Sequence, residues 1–214
     1  MTKRLNILTS HISKGKIFAD IGCDHGLISK FVLDNNLFEK VIATDISKKS
    51  LEKAKNLLKN YNERVSYIVC DGFDGFSETP CEVIIAGMGG EEIVKIISSS
   101  KYLPNRFILS PQKNQDKVRK LLISIGYKIT NDYTFYDEKY YDVIVAVKGE
   151  DSYSDLEYKF GRDNIKNKPI EFINKLKHDK SVLLNVLNSK NLNSETILKV
   201  NEELSLIRGI INEN

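Results

Sequence analysis

The chain has 214 residues, of which 41% are hydrophobic and 29% charged, and its formal net charge is +3. These values are typical of a globular protein with one main domain and a small appendage. No apolar run is long enough to span a bilayer, and the first residues lack the apolar core of a signal peptide, so we expect a cytoplasmic protein without a membrane partner. The three cysteines form no CxxC pair and the three histidines do not cluster, which argues against a metal site and predicts small buried thiols.

Apolar runs alternate with helical patterns through residue 148. The predicted strands of this series are residues 17–21, 41–45, 65–69, 83–86 and 107–109. The predicted helices are residues 27–35, a helix capped by Ser47, residues 91–98, and residues 116–125 followed by Gly126 as the C-terminal cap. Strands that are separated by helices predict a parallel sheet covered by helices on both faces.

Two further strands, residues 128–135 and 141–147, are joined by a polar turn at residues 137–139 with no helix between them. They should form an antiparallel hairpin at one edge of the sheet. A dehydrogenase-type domain would instead continue with parallel units. We therefore predict a mostly parallel α/β domain over residues 1–150.

After residue 150 the pattern changes, and we predict a second unit over residues 151–214. A helix should begin near Pro169, and a second helix, capped by Ser194, should follow a polar break at residues 188–194. Each carries one apolar stripe, which predicts an antiparallel helical hairpin.

The positive charge lies in the first 150 residues, because residues 151–214 hold ten basic and ten acidic side chains. Lysines cluster at residues 48–59, and a second basic cluster comprises Lys113, Lys117, Arg119 and Lys120. The simplest interpretation of each cluster is a solvated helix face. The alternative is a patch that contacts phosphates.

The turn after the first strand is the most informative segment, and it reads Asp20-Ile21-Gly22-Cys23-Asp24-His25-Gly26. A dinucleotide site would have the spacing G-x-G-x-x-G, but the third glycine is absent here. The Asp24 carboxylate would repel a pyrophosphate, whereas acids suit a cationic ligand such as S-adenosylmethionine (SAM). A tight turn with polar side chains, in which Asp24 only caps the next helix, remains an alternative.

Acids or glycines also follow the next four strands, at what should be one edge of the sheet. Asp45 could accept the ribose hydroxyls, with Ile46 beside the base, and Asp71-Gly72 could contact the adenine amine. Each acid could equally serve a helix start or a turn. The remaining segments are Gly87-Met88-Gly89-Gly90 and Ser110-Pro111-Gln112. The convergence of these loops favours SAM binding more strongly than any single loop does.

Taken together, these motifs resemble the class I methyltransferases, and more narrowly the TrmK family of bacterial tRNA (adenine(22)-N1)-methyltransferases. The segments that carry the resemblance are Arg4-Leu5, residues 19–26, Asp71-Gly72, residues 86–90 and residues 109–112. The resemblance covers about the first 150 residues and implies a Rossmann-like methyltransferase domain, a C-terminal coiled-coil-like hairpin, SAM as cofactor and tRNA as substrate. The Asn/Asp-Pro-Pro-Tyr/Phe motif of many base-amine methyltransferases is absent.

The resemblance and the loop chemistry together define the predicted site. The cofactor set is Asp20, Gly22, His25, Gly26, Asp45, Ile46, Asp71, Gly72 and Gly87. The substrate pocket is Gly89, Gly90, Pro111 and Gln112. The catalytic set is Asp24, His25 and Met88. No metal is predicted, and a monomer is the favoured state.

Adenine N1 has an in-plane lone pair and needs no general base, so the chemistry needs alignment and a carboxylate beside the charge that develops. Asp24 is the candidate carboxylate, with His25 as an orienting neighbour. Two alternatives stay open: a class I methyltransferase that acts on a small molecule or protein, and a non-catalytic SAM-binding module. An NAD dehydrogenase is the weakest alternative.

Overall fold

The structure of the protein, a computed structural model, describes residues 2–189 and 192–212. Within these residues, seven strands form one sheet: β1 Gly15–Ile21, β2 Phe38–Asp45, β3 Val65–Val69, β4 Glu82–Ala86, β5 Arg106–Ser110, β6 Tyr127–Asp137 and β7 Lys139–Lys148. The helices are α1 Lys3–Ser10, α2 Leu27–Asp34, α3 Lys48–Leu57, α4 Gly90–Ser99, α5 Gln115–Ser124, α6 Asp155–Phe160, α7 Arg162–Asn167, α8 Ile170–Leu187 and α9 Ser194–Ile211.

The strand order is β3-β2-β1-β4-β5-β7-β6. Strands β1 to β5 are parallel, and β7 is antiparallel to both β5 and β6. This confirms the predicted parallel sheet with an antiparallel edge hairpin. Because the order reverses at β1, the loops that follow β1 and β4 leave the sheet in different directions and open a crevice at its carboxyl edge.

Both faces of the sheet are buried, which explains why its central strands are almost continuously apolar. Phe18 of β1 packs into a cluster with α1, α2 and α3, and the next residue, Ala19, packs into a cluster with α4 and α5. A third cluster, which includes Phe172 and Ile207, joins α8 to α9. In the described part of the chain, no helix has the length and apolar character needed to cross a membrane.

Three short helices, α1, α6 and α7, are not predicted from the sequence. α6 and α7 have only six residues each, which is too short for a reliable apolar period, and α1 has only three hydrophobic residues among its eight. Two of them carry a local start signal: the Thr2 side chain caps α1 by accepting from the Leu5 N–H, and α6 has a capping box in which Ser154 and Glu157 bond reciprocally. The cap of α9 is Asn193 and not Ser194, since the Asn193 side chain accepts from the Thr196 N–H. Residues 190 and 191 of the predicted break lie outside the described residues.

The segment that follows residue 150 is bonded directly to the sheet before the helical hairpin begins. The Asp163 carboxylate accepts from the Asp132 backbone at 2.8 Å, and the Asn164 side-chain oxygen accepts from the Thr134 backbone at 2.9 Å. Helix α7 is therefore bonded to β6, ahead of the hairpin that α8 and α9 form.

Arg119, which the sequence places in a basic and solvated cluster, is instead fully buried. Its Nε donates to both Asp132 oxygens at 2.9 Å, and its Nη1 donates to the Tyr158 and Lys159 carbonyls at 3.1 and 3.3 Å. The Asp132 carboxylate also accepts from the Tyr153 hydroxyl. The solvated interpretation is thus wrong for Arg119, because its charge is compensated inside the protein and ties α6 to the sheet.

We expect Arg119→Met to lower the free energy of unfolding by about 3–5 kcal/mol, because it leaves the Asp132 carboxylate buried without its partner. Urea denaturation measures this change. Lys166→Met is the matched control, since Lys166 is exposed, and it should change stability by less than about 0.5 kcal/mol. A loss below about 1 kcal/mol in Arg119→Met would contradict the assigned role.

Candidate functional site

A cleft of about 480 Å³ lies at the carboxyl ends of the central strands. This volume is in the range of small-molecule pockets, which is about 300–1,000 Å³. Many of the residues predicted for the site line this cleft: Asp20, Gly22, Asp24, His25, Asp45, Ile46, Asp71, Gly87, Met88 and Gln112. The structure thus brings the loops after β1 to β5 together at one place.

Gly22 forms the floor of the cleft, where the turn after β1 passes under Met88. Its φ is +69°, and a Cβ at this position would collide with the Met88 Cε. The turn is fastened to β2, because the Thr44 carbonyl accepts from the backbone N–H groups of Gly22 at 2.8 Å and Cys23 at 2.9 Å. Only glycine meets both the backbone and the space requirement without strain.

Asp45 fixes the position of Asp24. One Asp45 oxygen accepts from the Asp24 backbone N–H at 3.1 Å, and the other accepts from the Ser47 N–H at 2.8 Å. Asp24 needs this support because its φ is +46°, a left-handed conformation that aspartate tolerates better than most residues. The carboxylate at the end of β2 therefore shapes the loop at the end of β1.

The Asp24 side chain is 67% exposed at the rim of the cleft, and it does not cap α2. The cap residue of α2 is Gly26, and no side chain caps this helix. One Asp24 oxygen lies 3.6 Å from His25 Nε2, and the other lies 3.4 Å from the Ser50 hydroxyl. The Lys53 Nζ also lies 3.3 Å from His25 Nε2. Helix α3 thus contributes polar contacts to the Asp24–His25 pair.

Asp20 is the buried acid of the cleft, and one of its oxygens accepts from both the backbone and the hydroxyl of Ser29. Burial raises the pKa of the Asp20 carboxyl to about 6, although the two Ser29 hydrogen bonds oppose the shift. A buried carboxylate of this kind is poised to gain charge when a cation binds beside it.

The far end of the cleft, next to β3, is more open. Asp71 forms an ion pair with Lys95 at 2.9 Å, and Ile46 is 72% exposed. The exposed Ile46 side chain can contact the face of a planar ring, and Asp45 and Asp71 can contact the polar edges of that ring.

Two thiols line the cleft, and both are free. Cys23 is buried as expected, whereas Cys70 is only half-buried. Burial raises the pKa of both thiols, and for Cys23 the neighbouring carboxylates act in the same direction. Neither group is therefore a thiolate near neutral pH, which argues against cysteine nucleophilic catalysis in the cleft.

Gln112 braces the loop after β4. Its side-chain amide donates to the Gly87 carbonyl at 2.8 Å, and its backbone N–H donates to the Met88 carbonyl at 2.9 Å. The loops after β4 and β5 are consequently held in a single arrangement next to the Gly22 turn.

The predicted site residues that do not line the cleft are Gly26, Gly72, Gly89, Gly90 and Pro111. Gly90 is needed for packing, because a Cβ there would strike the Lys113 and Asn114 carbonyls. Gly26 likewise faces Ala54, and Gly72 faces Ile96. These glycines therefore let helices and loops around the sheet pack closely against one another.

The sequence interpretation assigned no role to several residues that the structure places in the cleft. Helix α1 contributes Arg4, Leu5 and Leu8, and α2 contributes Leu27. Arg4 and Leu5 are one of the segments that resemble the TrmK family, and this resemblance is the only feature of the sequence that points to a role for them in the site. In residues 2–189 and 192–212, no group of three or more His, Cys, Asp or Glu side chains could hold a metal ion.

Comparison with known proteins identifies the family. Residues 1–144 match the protein-family model described as "Methyltransferase domain". The chain belongs to the methyltransferase family. A Mycoplasma genitalium relative named "Putative tRNA methyltransferase MG248" is 31% identical over 154 residues, which are 69% of this chain and 70% of that protein. The Bacillus subtilis tRNA (adenine(22)-N(1))-methyltransferase is 28% identical over 157 residues, 70% of this chain and 66% of that enzyme.

Solved methyltransferase structures share the whole fold. The M. capricolum TrmK structure, in complex with S-adenosyl-homocysteine (SAH), superposes with a TM-score of 0.91 at 25% identity and covers 99% of this chain and 98% of that one. The B. subtilis TrmK structure has a TM-score of 0.88 at 24% identity, over 99% of this chain and 98% of that chain. The resemblance to TrmK that the motifs predict is thus confirmed, and it extends beyond the first 150 residues.

We expect Gly22→Ala to move Met88, because the new methyl group would occupy the space of the Met88 Cε. The chain has two methionines, so methyl-labelled methionine gives a simple NMR spectrum in which Met88→Leu assigns the signal. The substitution should also lower the free energy of unfolding by about 1–2 kcal/mol through left-handed strain.

Gly126→Ala is the matched control, because Gly126 has a φ of +79° and no atom within 4 Å of its would-be Cβ. It should produce similar strain without moving the Met88 methyl signal. An unchanged Met88 signal in Gly22→Ala would show that the two residues are not in contact.

Proposed function

We propose that this methyltransferase transfers the methyl group of SAM to N1 of an adenine in tRNA, at position 22 as its relatives' names indicate. The observation that carries the proposal is the set of carboxylates at the ends of three adjacent strands, Asp20, Asp45 and Asp71, around the Gly22 turn. The shared fold and the tRNA-methylating relatives support the substrate class.

The residues of the cleft fit SAM. Asp20 suits the positive charges of its methionine end, Asp45 retains lone pairs for ribose hydroxyls, and Ile46 offers an apolar surface to the adenine ring. When bound, SAM supplies an electrophilic methyl group on a sulfonium. Residues Gly22, His25 and Gly87 complete the proposed contacts.

The protein's task is to align the adenine and stabilise its product, because N1 is already a nucleophile. The methylated base is a cation at neutral pH, so a carboxylate at the rim lowers the energy of the transition state. We assign this role to Asp24, with His25 as the neighbour that orients it and Met88 as the side chain that separates the two ligands. Asp45 acts through Asp24 by holding its backbone.

We further propose that the protein works in the cytoplasm as a monomer. Residues 1–150 bind the cofactor, and the helical unit after residue 150 supports the tRNA. Phosphate contacts would come from lysines around the cleft and would recognise the shape of the tRNA.

Methyl-labelled SAM offered with purified tRNA, a metabolite extract or a protein extract tests the substrate class. We expect label in tRNA. Label only in small molecules or protein would support a different methyltransferase, and SAM binding without product on any RNA would support a non-catalytic module.

We expect Asp24→Asn to lower kcat for tRNA methylation by about 100-fold or more while SAH affinity stays within about two-fold. Asparagine tolerates the left-handed backbone at this position, so the substitution removes charge and keeps the loop. Steady-state kinetics and calorimetric SAH titration measure the two quantities.

Asp74→Asn is the control, because Asp74 is an exposed acid near Asp71 that does not line the cleft. Its kcat should match that of the wild type. Unchanged turnover in Asp24→Asn would remove Asp24 from the mechanism.

We expect the affinity for SAM to fall as the pH is lowered through about 6, the pKa of Asp20. Above this pH Asp20 is a carboxylate that attracts the cationic ligand, and below it Asp20 is protonated and neutral. Titrations between about pH 5 and pH 8 measure the profile. Asp20→Asn should weaken binding at high pH and flatten the profile, and a pH profile that persists in this variant would assign the titration to another group.

A further inference from the structure

Helix α1 places a guanidinium in the cleft. Arg4 is the one Lys or Arg among the described residues that line it, whereas five carboxylates line the same space: Asp20, Asp24, Asp45, Asp71 and Glu92. A permanent cation in such a site indicates an anionic ligand group.

The Arg4 guanidinium forms no ion pair with any carboxylate of the described residues, although several carboxylates line the same cleft. The Arg4 Nε is buried without a hydrogen-bond partner. The nearby Asp137 accepts from the Arg4 backbone N–H at 2.7 Å and not from the side chain. The charge is therefore held ready for a group that comes from outside the chain.

The guanidinium is also fixed in position. It stacks on the Tyr141 ring at 4.7 Å from the centroid, and Lys139 lies over the same ring at 5.1 Å. Two cations thus lie over one aromatic ring at the start of β7. Since like charges repel, an anion that binds between or beside them would be favoured.

Arg4 reaches the cleft on the side of β4, next to a loop that is shared by the proposed cofactor and substrate contacts. The Arg4 Nη2 lies 3.5 Å from the position of a Cβ on Gly87, after β4, and Tyr141 lies near the start of β7, the strand beyond β5. The acids proposed for SAM follow β1, β2 and β3 on the other side. Gln112, which is predicted for the substrate pocket, bonds to the same Gly87, so Arg4 lies next to the predicted position of the methyl acceptor.

We propose that Arg4 anchors an RNA phosphate next to the target adenine, and so positions the nucleotide that is drawn out of the tRNA for methylation. This inference rests on the proposed tRNA substrate. A guanidinium binds phosphate through two parallel N–H donors, and a fixed phosphate limits where the unstacked base can lie. Arg4 is thus a substrate-positioning residue.

The test compares Arg4→Gln, Arg4→Lys and Lys3→Gln with the wild type. Lys3→Gln is the matched control, because Lys3 is an exposed cation on the same helix that does not line this cleft. We expect Arg4→Gln to lower kcat/KM for tRNA by about 10- to 100-fold, with a smaller loss in Arg4→Lys and none in Lys3→Gln. SAH affinity should stay within about two-fold in all three variants.

The salt dependence of tRNA binding separates a phosphate contact from a structural role. In Arg4→Gln, the slope of log affinity against log salt should fall by about 0.7–1. An unchanged slope would overturn the inference. A loss of SAH affinity that matches the loss of activity would also overturn it, because that result would assign Arg4 to the cofactor carboxylate. If the wild type methylates no tRNA, the proposed function itself fails; full activity in Arg4→Gln beside an active wild type refutes only the inference.

Discussion

The reversal of strand order at β1 is the constraint on which the rest of the site depends. β2 and β3 lie on one side of β1, and β4, β5 and β7 lie on the other. A cleft can open only where the connecting loops part, and this happens above Gly22. The turn is held from both sides, by the Thr44 carbonyl on β2 and by Met88 after β4. Every other feature of the site is placed relative to this fastened turn.

The cleft has two chemically different halves as a result. Three carboxylates follow β1, β2 and β3 and suit a cationic cofactor, while Met88, Gln112 and Arg4 occupy the half beside β4 and β5 together with one acid, Glu92. Asp24 stands between them, and its strained backbone is secured by Asp45. The hydrogen bond from the Asp24 N–H to Asp45 thus connects the cofactor side to the candidate catalytic carboxylate. A ligand bound in one half of the cleft can therefore change the geometry of the other half.

The sequence predicts the strands, the edge hairpin and the acids at the strand ends, because these depend on local apolar runs and on the rule that parallel strands end at one edge. It does not predict α1, whose eight residues have little apolar periodicity and whose place depends on contacts with Asp137 and Tyr141 more than 130 residues away. Arg119 shows the same limit. Its basic neighbours Lys117 and Lys120 are exposed, and only the partners that tertiary packing provides explain its burial. Glycines that are needed for close packing, such as Gly90, cannot be distinguished from ligand-contacting glycines by sequence pattern alone.

The most direct test of the central claim is to map the methyl group on a tRNA transcript. Transcripts with adenine 22, and matched transcripts in which guanine replaces it, would be incubated with the protein and SAM and then analysed by reverse transcription and nucleoside mass spectrometry. We predict 1-methyladenosine in the first transcript, with a reverse-transcription stop at that position, and no methylation of the second. Methylation at another atom or nucleotide, or equal methylation of both transcripts, would contradict the account.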